Sequence, residues 1–306
     1  MINSTHKDRL FTFLFGREEN REWTLSLYNA VNHTCYTDSG EIEFTTMDDA
    51  VYMGMKNDLS FLMHSFVSVY EHQSSYNPNL PVRELMYVGR LYDKHIHQHR
   101  LNIYGTKTVV LPVPKLVAFY NGTDEKEDEV ILKLSDAFPE GMDKAASDIE
   151  VKVRMLNVNH GHNRKLMEAC GPLAEYAWFV EEIRKNKRKP MTIEAAVDQA
   201  INDMPENYVI KTYLTGNRAE VKNMCITEYN EAETMQMFKE EGREEGWKDG
   251  QIEGRREGQI EGRREGEDKF GKLMEILLGA GRTSDARKAA SDREERMRLY
   301  KEFGID

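Results

Sequence analysis

Two acidic residues and an amide stand at a spacing that suits metal-assisted chemistry. Asp58, Glu71 and Gln73 belong to one stretch, NDLSFLMHSFVSVYEHQ, running from Asn57 to Gln73. Apolar and β-branched runs on either side of His64-Ser65 read as the two strands of a hairpin. Folded at that break, Asp58 falls opposite Glu71. Opposed residues of an antiparallel pair share a face, with Cβ atoms about 4.5–5.5 Å apart, and Gln73, two residues beyond Glu71, shares that face too. Two carboxylates so close repel each other, and one is expected to take up a proton unless a cation lies between them. Mg²⁺ is commonly held by one or two carboxylates, with water and substrate phosphate oxygens completing its shell. One reading of the hairpin is therefore a metal site for phosphodiester hydrolysis. The other is a solvated polar sheet face, since antiparallel sheets often have one wet side.

The flanking elements must position this hairpin. Residues 8–32 read as a first helix, with Leu10, Phe11, Leu14, Phe15, Trp23, Leu27 and Val31 at three- and four-residue steps; Gly16 is the point where it bends or splits. Asp38-Ser39-Gly40 is a turn signal before a short strand, Glu41 to Thr45, and Val51 to Met63 is the strand that carries Asp58. After Gln73, SSYNPNLPVR is a loop leading into a proline-initiated helix. Its expected buried stripe is Leu85, Met86, Val88, Leu91 and Tyr92. Arg83, Arg90 and Lys94 on the same helix either meet a phosphate backbone or remain ordinary surface charges. The run HIHQHR places His95 and His99 one helical turn apart, a zinc-compatible spacing, but no third ligand or catalytic glutamate follows, and the run reads as cations near the negative end of a helix.

Further on, Leu116 to Tyr120, ending at Asn121-Gly122, reads as a third buried strand, and Val151, Val153, Met155 and Leu156 suggest a fourth. The acidic run 123–129 is expected to be a charged tip without a site. In VNHGHN (158–163), His160 and His162 either touch substrate or sit in a turn whose Asn and His side chains satisfy backbone groups. Helices are expected at 163–185, 191–204 and 206–216.

Composition narrows the partners. The 306 residues are 40% hydrophobic and 31% charged, with a net charge of −11. Such a balance opposes nonspecific affinity for nucleic acid, so any DNA contact needs local positive charge. RKNKRKP (184–190) is the densest basic cluster, either that contact or a solvated loop. Cys35, Cys170 and Cys225 are far apart, without a disulfide framework or zinc spacing. The absence of an apolar signal region or an eighteen-residue apolar run leads to a cytoplasmic expectation with no membrane partner.

The tail differs in kind. Glycines from Gly242 to Gly266 recur every four residues, and QIEGRREG occurs twice, at 251–258 and 259–266. Each glycine weakens a lone helix by about 1 kcal/mol relative to alanine, unless the stripe lets another backbone approach closely, as small-residue stripes do. The stretch reads as a self-association helix, giving a homo-oligomer, or as a partly helical linker. Lys269 to Leu278 and Ser284 to Tyr300 read as two short helices.

Asp58 followed by Glu71-His72-Gln73 resembles the core of the PD-(D/E)XK nuclease superfamily. More closely, YEHQSS (70–75) resembles the Rpn family of recombination-promoting nucleases and transposase-like proteins, which carry Glu-His-Gln where most of the superfamily has Glu-x-Lys. DRLFTFLFG (8–16), MGMKND (53–58), LPVPKLVAFYNG (111–122), VNHGHN (158–163) and NRAEVKNMCITEYNEAE (217–233) fit in the same order. The resemblance implies an α/β, restriction-endonuclease-like core over residues 1–183, with a mixed sheet flanked by helices. A helical extension (184–238), the glycine-repeat segment (239–268) and a C-terminal helical segment (269–306) would follow. It implies a metal-dependent DNA endonuclease. Asp58 and Glu71 would hold Mg²⁺, or Mn²⁺ or Ca²⁺ in its place, and the backbone carbonyl of His72 is a further candidate ligand. Gln73 would orient water where a lysine usually stands. The first helix sometimes lends a carboxylate, for which Glu18, Glu19 and Glu22 are candidates. The alternative is a catalytically silent DNA-binding or oligomeric assembly protein on the same scaffold.

Overall fold

The computed structural model describes residues 10–45 and 59–305, without the side chains of 230–239, 241, 242, 244, 245, 248, 249 and 252. It divides into two compact units, Met1–Glu233 and Thr234–Asp306.

The first unit is α/β. Its helical start splits where glycine allows it: α1 (Leu10–Phe15) and α2 (Arg21–Asn32) are joined through a short 3₁₀ turn at Glu18–Asn20. A Cβ on Gly16 would stand 2.8 Å from the Thr12 carbonyl oxygen, so the chain can close on itself only at glycine. The Thr24 hydroxyl donates to the Phe15 carbonyl at 2.6 Å, satisfying the end of α1.

Six strands follow: β1 (Ile42–Phe44), β2 (Leu59–Met63), β3 (Phe66–Gln73), β4 (Val113–Tyr120), β5 (Glu129–Lys133) and β6 (Lys152–Asn157). They form one mixed sheet in the order β1-β2-β3-β4-β6-β5. β3, β4 and β6 run parallel in the centre, and β1, β2 and β5 pair antiparallel outside them. The crossover from β3 to β4 carries α3 (Leu80–Gln98). β5 carries no clear strand signal in the sequence. It follows an acidic run directly, and only Leu132 of its five residues is buried.

Strand alternation sorts the residues between two layers. Phe61, Tyr70, Phe119 and Leu156 join Phe11, Leu14, Tyr28 and Phe179 in the main core. On the other face, Val67 and Val69 meet Tyr87 and Leu91 of α3. The expected helix at 163–185 breaks at Cys170, whose backbone is extended, into α4 (Arg164–Ala169) and α5 (Gly171–Lys187). α6 (Ile193–Asp203) and α7 (Val209–Gly216) follow. Position 183 lies inside α5, and Ala196, Val197, Ile201, Ile210 and Leu214 belong to the main core. α6 and α7 thus contribute side chains to the main core.

The long helix α8 (Arg218–Gly279) runs unbroken through the glycine repeat. In the second unit its end packs with α9 (Thr283–Ser291) and α10 (Arg293–Phe303) around Leu273, Leu277, Ala286, Ala289 and Leu299. The helix expected over 284–300 is divided at Asp292, which caps α10 by accepting from the Glu294 and Glu295 amides. Among the described residues, no helix is long and apolar enough to cross a membrane.

Burial pushes the hydroxyls of Tyr28, Tyr70, Tyr87, Tyr120 and Tyr176 above the ordinary 10.0. The unfolded chain therefore gives up these protons first as pH rises. The stabilisation is fully present below about pH 10 and is lost as pH climbs from there through the raised folded values. The urea midpoint is expected to show no tyrosine-linked change up to about pH 10 and to fall above it. Tyrosinate absorbance should appear together with unfolding; its full appearance in still-folded protein would contradict this.

Candidate functional site

The carboxyl end of β3 gathers the site. Leu59 pairs with Tyr70 and Met63 with Phe66, the register expected from a turn at His64-Ser65, where His64 takes a left-handed φ of 52°. Asp58 lies outside the described residues. Alternation along β3 points Glu71 and Gln73 toward α3 and His72 toward α1 and α5. The expected common face of Glu71 and Gln73 is thus present, and both are buried, Glu71 to 1% exposure.

A helix cation meets that carboxylate. Arg83 Nη2 donates to Glu71 Oε2 at 3.2 Å and to the Tyr87 hydroxyl at 3.1 Å. The guanidinium side chain keeps 32% of its surface exposed, against 1% for Glu71. The buried stripe of α3 agrees with the expected one at Leu91, with Val88 and Tyr92 partly buried beside it, and differs elsewhere. Leu80, Glu84, Tyr87 and Leu91 face inward, while Leu85 and Met86 are exposed. The stripe steps by four, three and four residues and includes a glutamate, so a search for apolar periodicity alone passes it by. Glu84 has 0% exposure. Burial, then the negative charges of Glu71 and Glu84, holds the Tyr87 hydroxyl above its usual value, and Arg83 works against them. Sequence reasoning missed Glu84, and named Arg83 as a phosphate-contacting or surface cation without its pairing to Glu71.

The opposite face is a braced aromatic layer. The His72 ring stacks on Phe11 at 5.4 Å, and its Nε2 is 2.8 Å from the Tyr176 hydroxyl. Asn121 Nδ2 donates to the same hydroxyl at 3.0 Å. The Tyr176 hydroxyl thus links the His72 ring to Asn121. Asn121 also ties the strands together, its amide donating to the Gln73 carbonyl at 3.0 Å. The next residue must be glycine: a Cβ on Gly122 would lie 2.6 Å from the Ser74 carbonyl oxygen.

The basic cluster reaches this edge of the sheet through Arg184. Its guanidinium donates to the Asn121 carbonyl and, at 2.7 Å, to Asn159 Oδ1. Lys185, Arg188 and Lys189 of the cluster remain exposed. The VNHGHN run is a turn of the backbone-satisfying kind. Asn159 donates to the Gly122 carbonyl, Asn163 to the Asn157 carbonyl, and His162 Nδ1 lies 2.8 Å from Asp128. Asp128, in a run expected to hold no site, thus helps to pin the turn.

Other candidates lie elsewhere. Glu18, Glu19 and Glu22 are exposed, Glu18 on Arg21 and Glu19 on the Tyr213 hydroxyl at 2.9 Å. The HIHQHR run closes α3, with the His95 and His99 rings 4.1 Å apart. Burial, and then the neighbouring His99, lowers the His95 pKa.

On the α3 side, Glu71, Glu84 and Gln73 offer oxygen donors, the chemistry a hard cation such as Mg²⁺ takes. Among the described residues, no group of three or more His, Cys, Asp or Glu side chains converges as a metal site. The fold class is an α/β protein with a six-stranded mixed sheet flanked by helices. No family model, no curated protein and no solved structure matches the chain.

Proposed function

We propose that this protein is a Mg²⁺-dependent DNA endonuclease of the Rpn-like, recombination-promoting type, with a restriction-endonuclease-like core. The observation that carries the reading is the buried Glu71 carboxylate at the end of β3, on one face with Gln73, in the hairpin register that the Asp58 pairing requires. Asp58, Glu71 and the His72 carbonyl would hold the ion. When bound, the ion polarises the scissile phosphate and lowers the pKa of a water.

The chain's own groups do the remaining work. Gln73 orients water by hydrogen bonding, without supplying charge or acting as a base. The His72 ring, braced by Phe11 and Tyr176, fixes the pleat that aims Glu71 and Gln73 to the other side. Lys185, Arg188 and Lys189 are exposed and offer local positive charge for phosphate contacts in an acidic chain. Self-association through the glycine stripe belongs to the same reading. Cβ positions on Gly246 to Gly266 meet nothing within 4 Å, so the helix accepts about 1 kcal/mol per glycine without packing against a described residue. Such a protein acts in the cytoplasm.

The test is nicking of supercoiled plasmid in Mg²⁺ or Mn²⁺, abolished by Asp58→Ala and by Glu71→Ala. DNA binding without cutting under every metal would favour the silent assembly protein instead.

A further inference from the structure

Resting on the nuclease reading, we propose that Arg83 is the positioning cation of this site, supplying from α3 the positive charge that Gln73 cannot supply from β3. In phosphodiester hydrolysis the water oxygen bonds to phosphorus as the bond to the bridging oxygen breaks. The leaving oxygen departs with its electron pair and is protonated from solvent, which also receives the water's proton. A cation near the phosphate stabilises the charge that develops. Gln73 is neutral at every pH at which the protein is folded. Among the described residues, Arg83 places a cation against the Glu71 carboxylate, at 3.2 Å, and is steadied by the Tyr87 hydroxyl at 3.1 Å.

Three features separate this role from that of a neutralising surface charge. Glu71 is almost wholly buried, so its contact with Arg83 is desolvated on the carboxylate side and stronger than an exposed pair. The Arg83 side chain keeps about a third of its surface in solvent, so it reaches from the buried carboxylate toward the water through which a phosphate would arrive. It also sits on the first turn of α3, where the macrodipole adds partial positive charge. The hydrogen bond from Arg83 to Glu71 runs from Nη2 to Oε2. A lysine, which offers a point charge in place of a fork, can therefore substitute for it.

The experiment uses the full-length chain and its Arg83→Gln and Arg83→Lys variants, with two readouts: steady-state plasmid nicking in Mg²⁺, and binding of Mn²⁺ alone by electron paramagnetic resonance. Arg83→Gln should lower kcat by about 100-fold, with KM for plasmid shifted by less than about threefold, because the lost interaction is made in the transition state. It should bind Mn²⁺ at least as tightly as wild type, since a like charge has left the site. Arg83→Lys should recover kcat to within about tenfold of wild type. A merely structural arginine would lose Mn²⁺ binding and turnover together and would not be rescued by lysine; that pattern overturns the proposal. Wild-type turnover in Arg83→Gln overturns it while leaving the nuclease reading intact. A wild-type protein that neither binds Mn²⁺ nor nicks removes the nuclease reading and this inference with it.

Discussion

Replacing Glu71 with glutamine is expected to lower Mg²⁺-dependent plasmid nicking by about 10²–10³-fold, the range that loss of one transition-state-stabilising group produces. Glutamine keeps the shape and removes the charge. An amide oxygen is a poor substitute for a carboxylate at a hard cation that dehydrates reluctantly. The fold should survive, because Arg83, left without its anion, is about one-third exposed and can be solvated. The measurement is the rate of conversion of supercoiled to open-circular plasmid, with circular dichroism to establish that the variant is folded. A folded Glu71→Gln protein that nicks within tenfold of wild type would remove Glu71 from the chemistry.

Phe11→Ala should destabilise the protein by about 3–5 kcal/mol, the cost of deleting a buried aromatic side chain and leaving a cavity. Phe11 is fully buried at the hub of an aromatic cluster. Its ring centroid lies 4.9 Å from Phe15, 4.8 Å from Phe119, 5.4 Å from His72 and 5.8 Å from Tyr176. Pairs of this kind add about 0.5–1.5 kcal/mol beyond the area they bury. The void opens directly beneath His72, so the strand end that carries Glu71 loses its support and nicking should fall with stability. Urea denaturation with an unchanged slope would measure the loss. A loss below about 1 kcal/mol would mean that the aromatic layer closes over the gap and that α1 does not brace the site.

Much of this arrangement is legible in the sequence because strand alternation is a rigid rule. Once His64-Ser65 is the turn, Glu71 and Gln73 must share a face and His72 must take the other, and the β2–β3 register agrees. The break at Gly16 is likewise written in the residue type. Three features are not legible, for three different reasons. The α3 stripe holds at Leu91, with Val88 and Tyr92 packed beside it, and fails at Leu85 and Met86, because the inward face includes Glu84 and hydropathy gives no reason to bury a glutamate. β5 escaped notice because an edge strand with one buried residue carries little pattern. The ion pair of Arg83 with Glu71 joins a helix to a strand across a loop, and local periodicity does not encode which cation finds which carboxylate. The tail shows the opposite case. Its glycine repeat argues against a helix by intrinsic preference, yet α8 runs 62 residues without a break. Each residue adds a hydrogen bond to a helix already nucleated, and propagation is cheaper than initiation.

The most direct measurement is a crystal structure of the full chain soaked in Mn²⁺, with anomalous scattering to locate the ion. We expect a peak within about 2.5 Å of a Glu71 carboxylate oxygen, in the range of oxygen-ligated divalent cations, with Asp58 on the same ion. An ion-free Glu71 still held by Arg83 at saturating Mn²⁺ would contradict the metal site, and with it the assignment of nuclease chemistry to this sheet edge.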